Sequence, residues 1–131
     1  MPLKKECCSL ELARQLKELG VEQNSLFYWV EDVFRGGGYT GDYYLNNEVS
    51  DEKLRLYYSE ERAGHYYSAF TSSELGEMLP WYFSIEKHTN DWRCGFVNAK
   101  GKMKDVPTFS AETMANAMAK MMAYLLKNKL I

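Results

Sequence analysis

Apolar residues recur at helical spacing in two stretches, one near each end of the chain. In residues 10–19 leucines return every three or four positions, with Ser9 before them as a helix cap and Gly20 after them as a stop. In residues 111–127 methionine, alanine and leucine form an apolar stripe, and Ser110 can cap its start. We therefore predict a helix near each end of the chain.

Between these helices the sequence has patterns typical of strands. Residues 25–31, 43–45 and 54–58 are short runs rich in aromatic and aliphatic side chains. A glycine-rich segment, 35–42, joins the first two runs, and a polar turn, 46–53, precedes the third. These spacings predict three strands joined by loops.

Prolines limit two further elements. Thr71 and Glu74 have the spacing of a capping box, which opens a short helix that Pro80 must end. Residues 103–109 have the character of an edge strand whose pairing Pro107 restricts.

Residues 81–89 and 92–98 predict a β-hairpin. Asn90 and Asp91, which lie between them, both tolerate the positive φ of a two-residue turn. In that register Cys94 lies opposite Lys87, and one face of the hairpin is largely apolar while the other is polar. This pattern is typical of an antiparallel sheet that is covered on one face.

Together these elements predict an α+β fold in a single domain, residues 1–131. We expect an antiparallel sheet of about four to six strands. The N- and C-terminal helices should pack on one face of this sheet, with the short middle helix at an edge. A chain of 131 residues buries roughly two-thirds of its extended surface, so it can fold without metal or disulfide bonds.

The two parts of the chain carry opposite charge. Residues 1–83 hold 8 Lys and Arg against 14 Asp and Glu, whereas residues 84–131 hold 8 against 4, and the net charge is −2. DNA-binding proteins usually have a basic excess, so general DNA binding is disfavoured. The opposed parts either attract each other within the fold or present an acidic and a basic face to a partner.

Three cysteines, two of them adjacent, are too few for a disulfide framework. The first residues lack the apolar core of a signal peptide, and no window reaches the length of a membrane span. We therefore expect a cytoplasmic protein with reduced thiols and no membrane association.

The cysteines and histidines do not indicate a catalytic or metal site. The hairpin register places Cys94 and His88 on opposite faces, where they cannot act together as nucleophile and base. Cys7 and Cys8, with His65 or His88, match no zinc-ligand spacing. We expect no metal and no cofactor, with Cys94 in the core and the first two cysteines in a frayed N-terminus.

Two other groups of residues match functional motifs only in part. The glycines at 36–38 lack the lysine, the hydroxyl residue and the helix of a phosphate-binding loop, so a flexible hairpin tip is favoured. On the polar face of the hairpin, Glu86, His88 and Arg93 have the chemistry of an acid, a base and an anion clamp. A catalytic role predicts that these three lie in a concave pocket, whereas solvated charges on an exposed sheet have the same pattern.

Paired tyrosines are the most distinctive feature of the composition. Aromatic residues make up 15% of the chain, including 10 tyrosines. In adjacent pairs on strands one ring must point away from the core, so that some rings are exposed unless a second core layer covers them. Exposed rings are typical of protein interfaces and also stack on single-stranded bases. The candidate binding residues are Tyr43, Tyr44, Tyr57, Tyr58, Tyr66 and Tyr67.

Three segments resemble a family of small uncharacterised proteins encoded by bacteriophages and prophages. They are residues 8–21 with 25–30, residues 67–80, and residues 112–126, which include the motif E-T-M-A-N-A-M-A-K-M. The resemblance implies a compact α+β domain expressed inside a bacterium. It supplies no activity, cofactor or catalytic residue, and the triple-glycine loop is not part of the pattern.

These observations favour an accessory protein of phage or prophage type, in the cytoplasm of a bacterial host, that binds a protein partner through an aromatic, acidic surface. We assign no catalytic residue. Two alternatives stay open: a single-stranded nucleic-acid-binding protein that uses the rings and the basic C-terminal part, and a small hydrolase that uses Glu86, His88 and Arg93. Nucleic acid is disfavoured by the acidity of the tyrosine-rich part. A homodimer stays open as well.

Overall fold

The computed structural model describes residues 3–46, 65–80, 83–96 and 101–131. The predicted strand at 54–58 and the polar turn at 46–53, beyond its first residue, lie outside these ranges. The described helices are α1 (Leu3–Glu6), α2 (Leu10–Glu18), α3 (Ser72–Met78) and α4 (Met114–Lys127), with a 3₁₀ turn at Gly101–Met103. The described strands are β1 (Tyr28–Val33), β2 (Tyr39–Asn46), β3 (Tyr66–Ser68), β4 (Phe83–Lys87), β5 (Trp92–Phe96) and β6 (Phe109–Ala111). The predicted α+β class is confirmed.

The strands form two three-stranded antiparallel sheets, in the orders β2–β1–β3 and β4–β5–β6. Helix α4 packs on all three strands of the second sheet, whereas α2 packs on β3 of the first. The helices α2 and α3 both pack against α4 as well. The described residues therefore contain the expected number of strands, but these form two sheets that share the helices and not the single sheet that was predicted.

The composition of α4 explains why this helix needs several partners. Its buried residues include alanines, methionines and a leucine, and at 100° per residue they occupy well over half of the helix circumference. A helix that is apolar on so much of its surface must be covered from more than one side. The second sheet, α2 and α3 together provide that cover.

Local signals set the ends of α2 and α3 as predicted. The Ser9 hydroxyl accepts a hydrogen bond from the backbone N–H of Leu12 at 3.3 Å, and Gly20 ends the α2 segment with φ of +92°. At α3, Thr71 and Glu74 form both hydrogen bonds of a capping box, and the helix ends before Pro80.

The register of the β4–β5 hairpin differs from the prediction by two residues. Lys87 pairs with Trp92 and Ile85 with Cys94, so the predicted pairing of Cys94 with Lys87 is wrong. The turn has four residues instead of two, and it is closed by a hydrogen bond of 2.8 Å from the His88 N–H to the Asp91 carbonyl. Because strand side chains alternate with a period of two, this shift leaves the side chains of β4 and β5 on their predicted faces.

The C-terminal elements begin later than predicted. Residues 101–103 form a 3₁₀ turn, and the edge strand is β6, in which Ser110 pairs with Arg93. The helix cap is consequently Thr113, whose hydroxyl accepts from the Asn116 N–H at 3.2 Å. Strand pairing thus takes Ser110 out of the capping role that its sequence position suggested.

Candidate functional site

The candidate tyrosines differ in their exposure. Tyr57 and Tyr58 lie outside the described residues. Tyr44, on β2, is 47% exposed. The remaining three, which are half-buried or buried, are Tyr43, Tyr66 and Tyr67.

Two cations of helix α2 lie over the covered rings. The Arg14 guanidinium is 5.4 Å from the ring centre of Tyr67 and 5.9 Å from that of Tyr43. The Lys17 ammonium is 4.0 Å from the ring centre of Tyr66 and donates to the carbonyl of the same residue at 2.9 Å. These three tyrosines therefore line the contact between α2 and the first sheet.

A buried carboxylate lies next to these rings, at the base of the β1–β2 hairpin. Glu31 accepts hydrogen bonds from the Tyr43 hydroxyl at 3.1 Å and from the Gly41 N–H at 2.8 Å. Its Oε1 atom is also 2.6 Å from Nδ1 of His65. The His65 ring stacks on Tyr39, with ring centres 3.4 Å apart. No sequence motif predicted this cluster, although Glu31 at the end of an otherwise apolar run is a signal that could have revealed it.

A β-bulge brings the Gly41 N–H to the carboxylate. Val33 pairs with Tyr39 and Glu31 with Tyr43, so β2 contains more residues than β1 between the two pairs. Gly41 lies in this bulge with φ of +84°, a conformation that L side chains rarely adopt. The glycine thus lets the backbone turn its N–H toward Glu31.

The electrostatics of the cluster stabilise a charged carboxylate. The hydrogen bond to His65, followed by those to Gly41 and Tyr43, lowers the pKa of Glu31 against the opposing effect of burial. Burial and the neighbouring carboxylate raise the pKa of Tyr43 to about 12. Within the described part of the chain, no hydrogen bond joins His65 to a hydroxyl or thiol nucleophile. The cluster therefore fastens the hairpin to the segment that carries His65.

The catalytic candidates of the sequence analysis, Glu86, His88 and Arg93, lie at the exposed end of the β4–β5 hairpin. Nε2 of His88 is 3.6 Å from a carboxylate oxygen of Glu86, and the Arg93 guanidinium is 3.4 Å from Asp91 instead. Glu86 and Arg93 are exposed. None of the three catalytic candidates lines either of the two clefts described below.

The cysteines are all buried, so the prediction of a frayed N-terminus around Cys7 and Cys8 is wrong. The Cys8 N–H donates to the Phe70 carbonyl at 2.9 Å, and the Cys8 carbonyl accepts from the Trp29 indole at 3.0 Å. Burial raises the pKa of Cys7 and Cys94 to about 11 and that of Cys8 to about 12. These thiols stay protonated at neutral pH and act as small core residues.

The β1–β2 hairpin ends in a segment whose residues are all exposed. This hairpin tip, defined as residues 32–38, has Val33 at 54% and Phe34 at 61% exposure. The Phe34 N–H donates to the Gly38 carbonyl at 2.9 Å, and Gly37 and Gly38 take φ of +88° and +98°. The glycines therefore allow a tight turn at the position where the sequence predicted a hairpin tip, and two large apolar side chains stay in solvent.

Two clefts lie elsewhere on the molecule. The larger, about 840 Å³, runs between α2 and α4 with β6 at its side, and it is called the helix groove below. The smaller, about 480 Å³, includes residues of the loop before β1, of α3 and of the start of α4. Among the described residues, no three His, Cys, Asp or Glu side chains lie close enough together to hold a metal ion.

None of the helices in the described ranges combines the length and apolar character needed to cross a membrane. Comparisons of the chain with protein-family models, with curated proteins and with solved structures give no significant match. Evidence on function therefore comes from the chain's own residues.

Proposed function

We propose that this chain is a non-enzymatic protein-binding module that docks through the hairpin tip. The observation that carries the proposal is the exposure of Phe34 and Val33 at the end of a hairpin. More than half of each side chain is accessible to solvent. Adjacent exposed apolar side chains form a patch that a partner can cover. Full burial of such a side chain contributes about 1.5–3 kcal/mol, of which roughly half is available at these exposures.

The base of the hairpin supports this role. Glu31, Tyr43 and His65 hold the first part of the hairpin by hydrogen bonds, and Gly41 adds a backbone bond. A rigid base reduces the conformational entropy that binding would otherwise cost. The tip is thus presented by an ordered stem.

Charge favours a protein over nucleic acid as the partner. Asp32 in the tip and Asp42 on the adjoining strand are exposed, while Arg35 is the tip's single basic residue. Phosphate groups would be repelled by these carboxylates. A partner protein with an apolar pocket could bury the apolar side chains of the tip, and lysine or arginine at the edge of that pocket could pair with the carboxylates. The charges of Asp32 and Arg35 cancel within the tip, so the small acidic excess of this surface comes from Asp42. The proposed role is that of an accessory protein of phage or prophage type in a bacterial cytoplasm.

The test uses a photo-crosslinking amino acid in the full chain. We place p-benzoylphenylalanine at position 34 or, as a matched control, at position 26, because Leu26 is an apolar side chain with 68% exposure outside the tip. Both proteins are expressed in bacterial cells and irradiated. We expect a protein adduct that forms from position 34 and not from position 26.

The second step measures binding of the purified adduct partner. Phe34→Ser should raise its Kd at least tenfold, and Leu26→Ser should leave the Kd unchanged. The proposal is overturned by identical adducts from both positions, by an adduct with nucleic acid, or by a Kd that does not respond to Phe34→Ser.

A further inference from the structure

The helix groove has walls of opposite charge. Its α2 wall carries the exposed side chains Glu11 and Glu18, and the helix of its α4 wall carries Lys120 and Lys127. Glu112, which directly precedes the N-cap residue of α4, is also exposed and lines the groove, so the α4 wall is basic only along the helix itself. No ion pair among the described residues crosses from one wall to the other. The two rows of charge are therefore available to a third element that lies between them.

The floor of the groove is apolar. Leu12 and Ala123 are almost completely buried there, and Leu19, Tyr124 and Phe109 are half-buried along it. A hydrogen bond of 2.7 Å from the Ser9 N–H to the Asn116 side chain joins the two helices at one end. The two helices also pack directly against each other, so the groove lies along their contact.

The backbone around the groove favours a helix as its occupant. Both walls are helices whose N–H and C=O groups already bond within the helix, so an extended peptide finds few backbone partners on them. In β6, the Ser110 carbonyl already accepts from the Lys120 ammonium at 2.8 Å. A helix satisfies its own backbone and needs only side-chain contacts.

We infer that the helix groove binds an amphipathic helix of a partner protein, with basic residues along one side of its apolar stripe and acidic residues along the other. The basic side would face Glu11 and Glu18, and the acidic side would face Lys120 and Lys127. The α4 wall from Asn116 to Lys127 is about 16 Å long at 1.5 Å per residue, which matches three turns of helix. This site is separate from the hairpin tip, and it does not depend on the function proposed for the tip.

The experiment uses three stapled helical peptides of 14 residues as probes, with the same leucine stripe. The first has lysines on one flank and glutamates on the other, the second has lysines on both flanks, and the third has glutamates on both. Affinity is measured with the full chain by fluorescence anisotropy. We expect the mixed peptide to bind at least tenfold more tightly than either single-charge peptide.

Charge reversal on the protein separates this site from non-specific binding. The double variant Glu11→Lys/Glu18→Lys should bind the glutamate-flanked peptide at least tenfold more tightly than the mixed one. Glu22→Lys/Glu77→Lys, which reverses two exposed charges outside the groove, is the matched control and should keep the original order. Both sets of positions are exposed, so folding is preserved.

Several outcomes overturn the inference. It fails when the three peptides bind equally, or when the double variant and the control respond alike. It also fails when sedimentation of the protein alone shows a dimer that Glu11→Lys/Glu18→Lys dissociates, because a second copy of the chain would then be the occupant.

Discussion

Replacing Glu31 by glutamine tests whether its carboxylate stabilises the base of the β1–β2 hairpin. The substitution keeps the size of the side chain but removes the charge and one of two acceptor oxygens. In the native protein, Oε1 is bonded to Tyr43 and His65, and Oε2 is bonded to Gly41. The single carbonyl oxygen of a glutamine can take the place of either Oε1 or Oε2 but not both. At least one hydrogen bond to a charged acceptor is therefore lost.

The expected cost follows from the burial of this carboxylate, which is 8% exposed. Hydrogen bonds to charged groups contribute roughly 1.5–3 kcal/mol each, and the exposure of the His65 side chain places the effect in the lower part of that range. We expect Glu31→Gln to reduce the free energy of unfolding by about 2 kcal/mol at pH 7. Urea denaturation followed by tryptophan fluorescence measures this quantity.

The pH dependence provides a second readout. Because the native pKa of Glu31 lies below its unfolded value, the carboxylate stabilises the fold above the unfolded pKa. That contribution is lost as the pH falls through the native pKa, below about 4.3. The difference between wild type and Glu31→Gln should therefore be full at neutral pH and shrink in acid.

Asp32→Asn is the matched control, because it removes the same charge from the neighbouring exposed residue of β1. We expect it to change stability by less than about 0.5 kcal/mol. Equal effects of the two substitutions at pH 7 would refute the reasoning. So would a Glu31→Gln difference that stays constant down to pH 3.

Three further predictions concern packing and capping. A Cβ atom at Gly95 would lie 2.8 Å from the Thr108 hydroxyl oxygen, so Gly95→Ala should cost about 1–2 kcal/mol in urea denaturation, and adding Thr108→Ala should recover most of it. Thr71→Ala removes the capping-box hydroxyl and should cost about 1 kcal/mol by the same measurement, whereas Thr71→Ser should cost much less. The three buried cysteine thiols should react with a disulfide reagent at pH 7.5 at least a hundredfold more slowly in the native protein than in 6 M guanidinium, and a rate that is the same in both would contradict their burial.

The sequence determined the elements whose signals are local. The start and end of α2 are set by Ser9 and Gly20, and the start of α3 is set by Thr71 with Glu74. Each of these residues acts on backbone groups within a few positions of itself. The apolar character of α4 and the glycine turn of the hairpin tip also follow from residues close together in the sequence. The assignment of side chains to the two faces of the β4–β5 hairpin also held, because it depends only on the alternation along each strand.

The tertiary structure decided everything that depends on which segments meet. The β4–β5 hairpin has a four-residue turn that its sequence did not predict. The helix α4 starts later than predicted because Ser110 pairs in β6. Glu31 and His65 are far apart in the chain, and no periodicity links them, yet folding places them 2.6 Å apart. The helix groove likewise forms only because α2 packs beside α4, two helices near opposite ends of the chain that a hydrogen bond between Ser9 and Asn116 also joins. Side-chain periodicity records which face of an element is apolar, but the partner of that face is chosen by packing among all the elements at once.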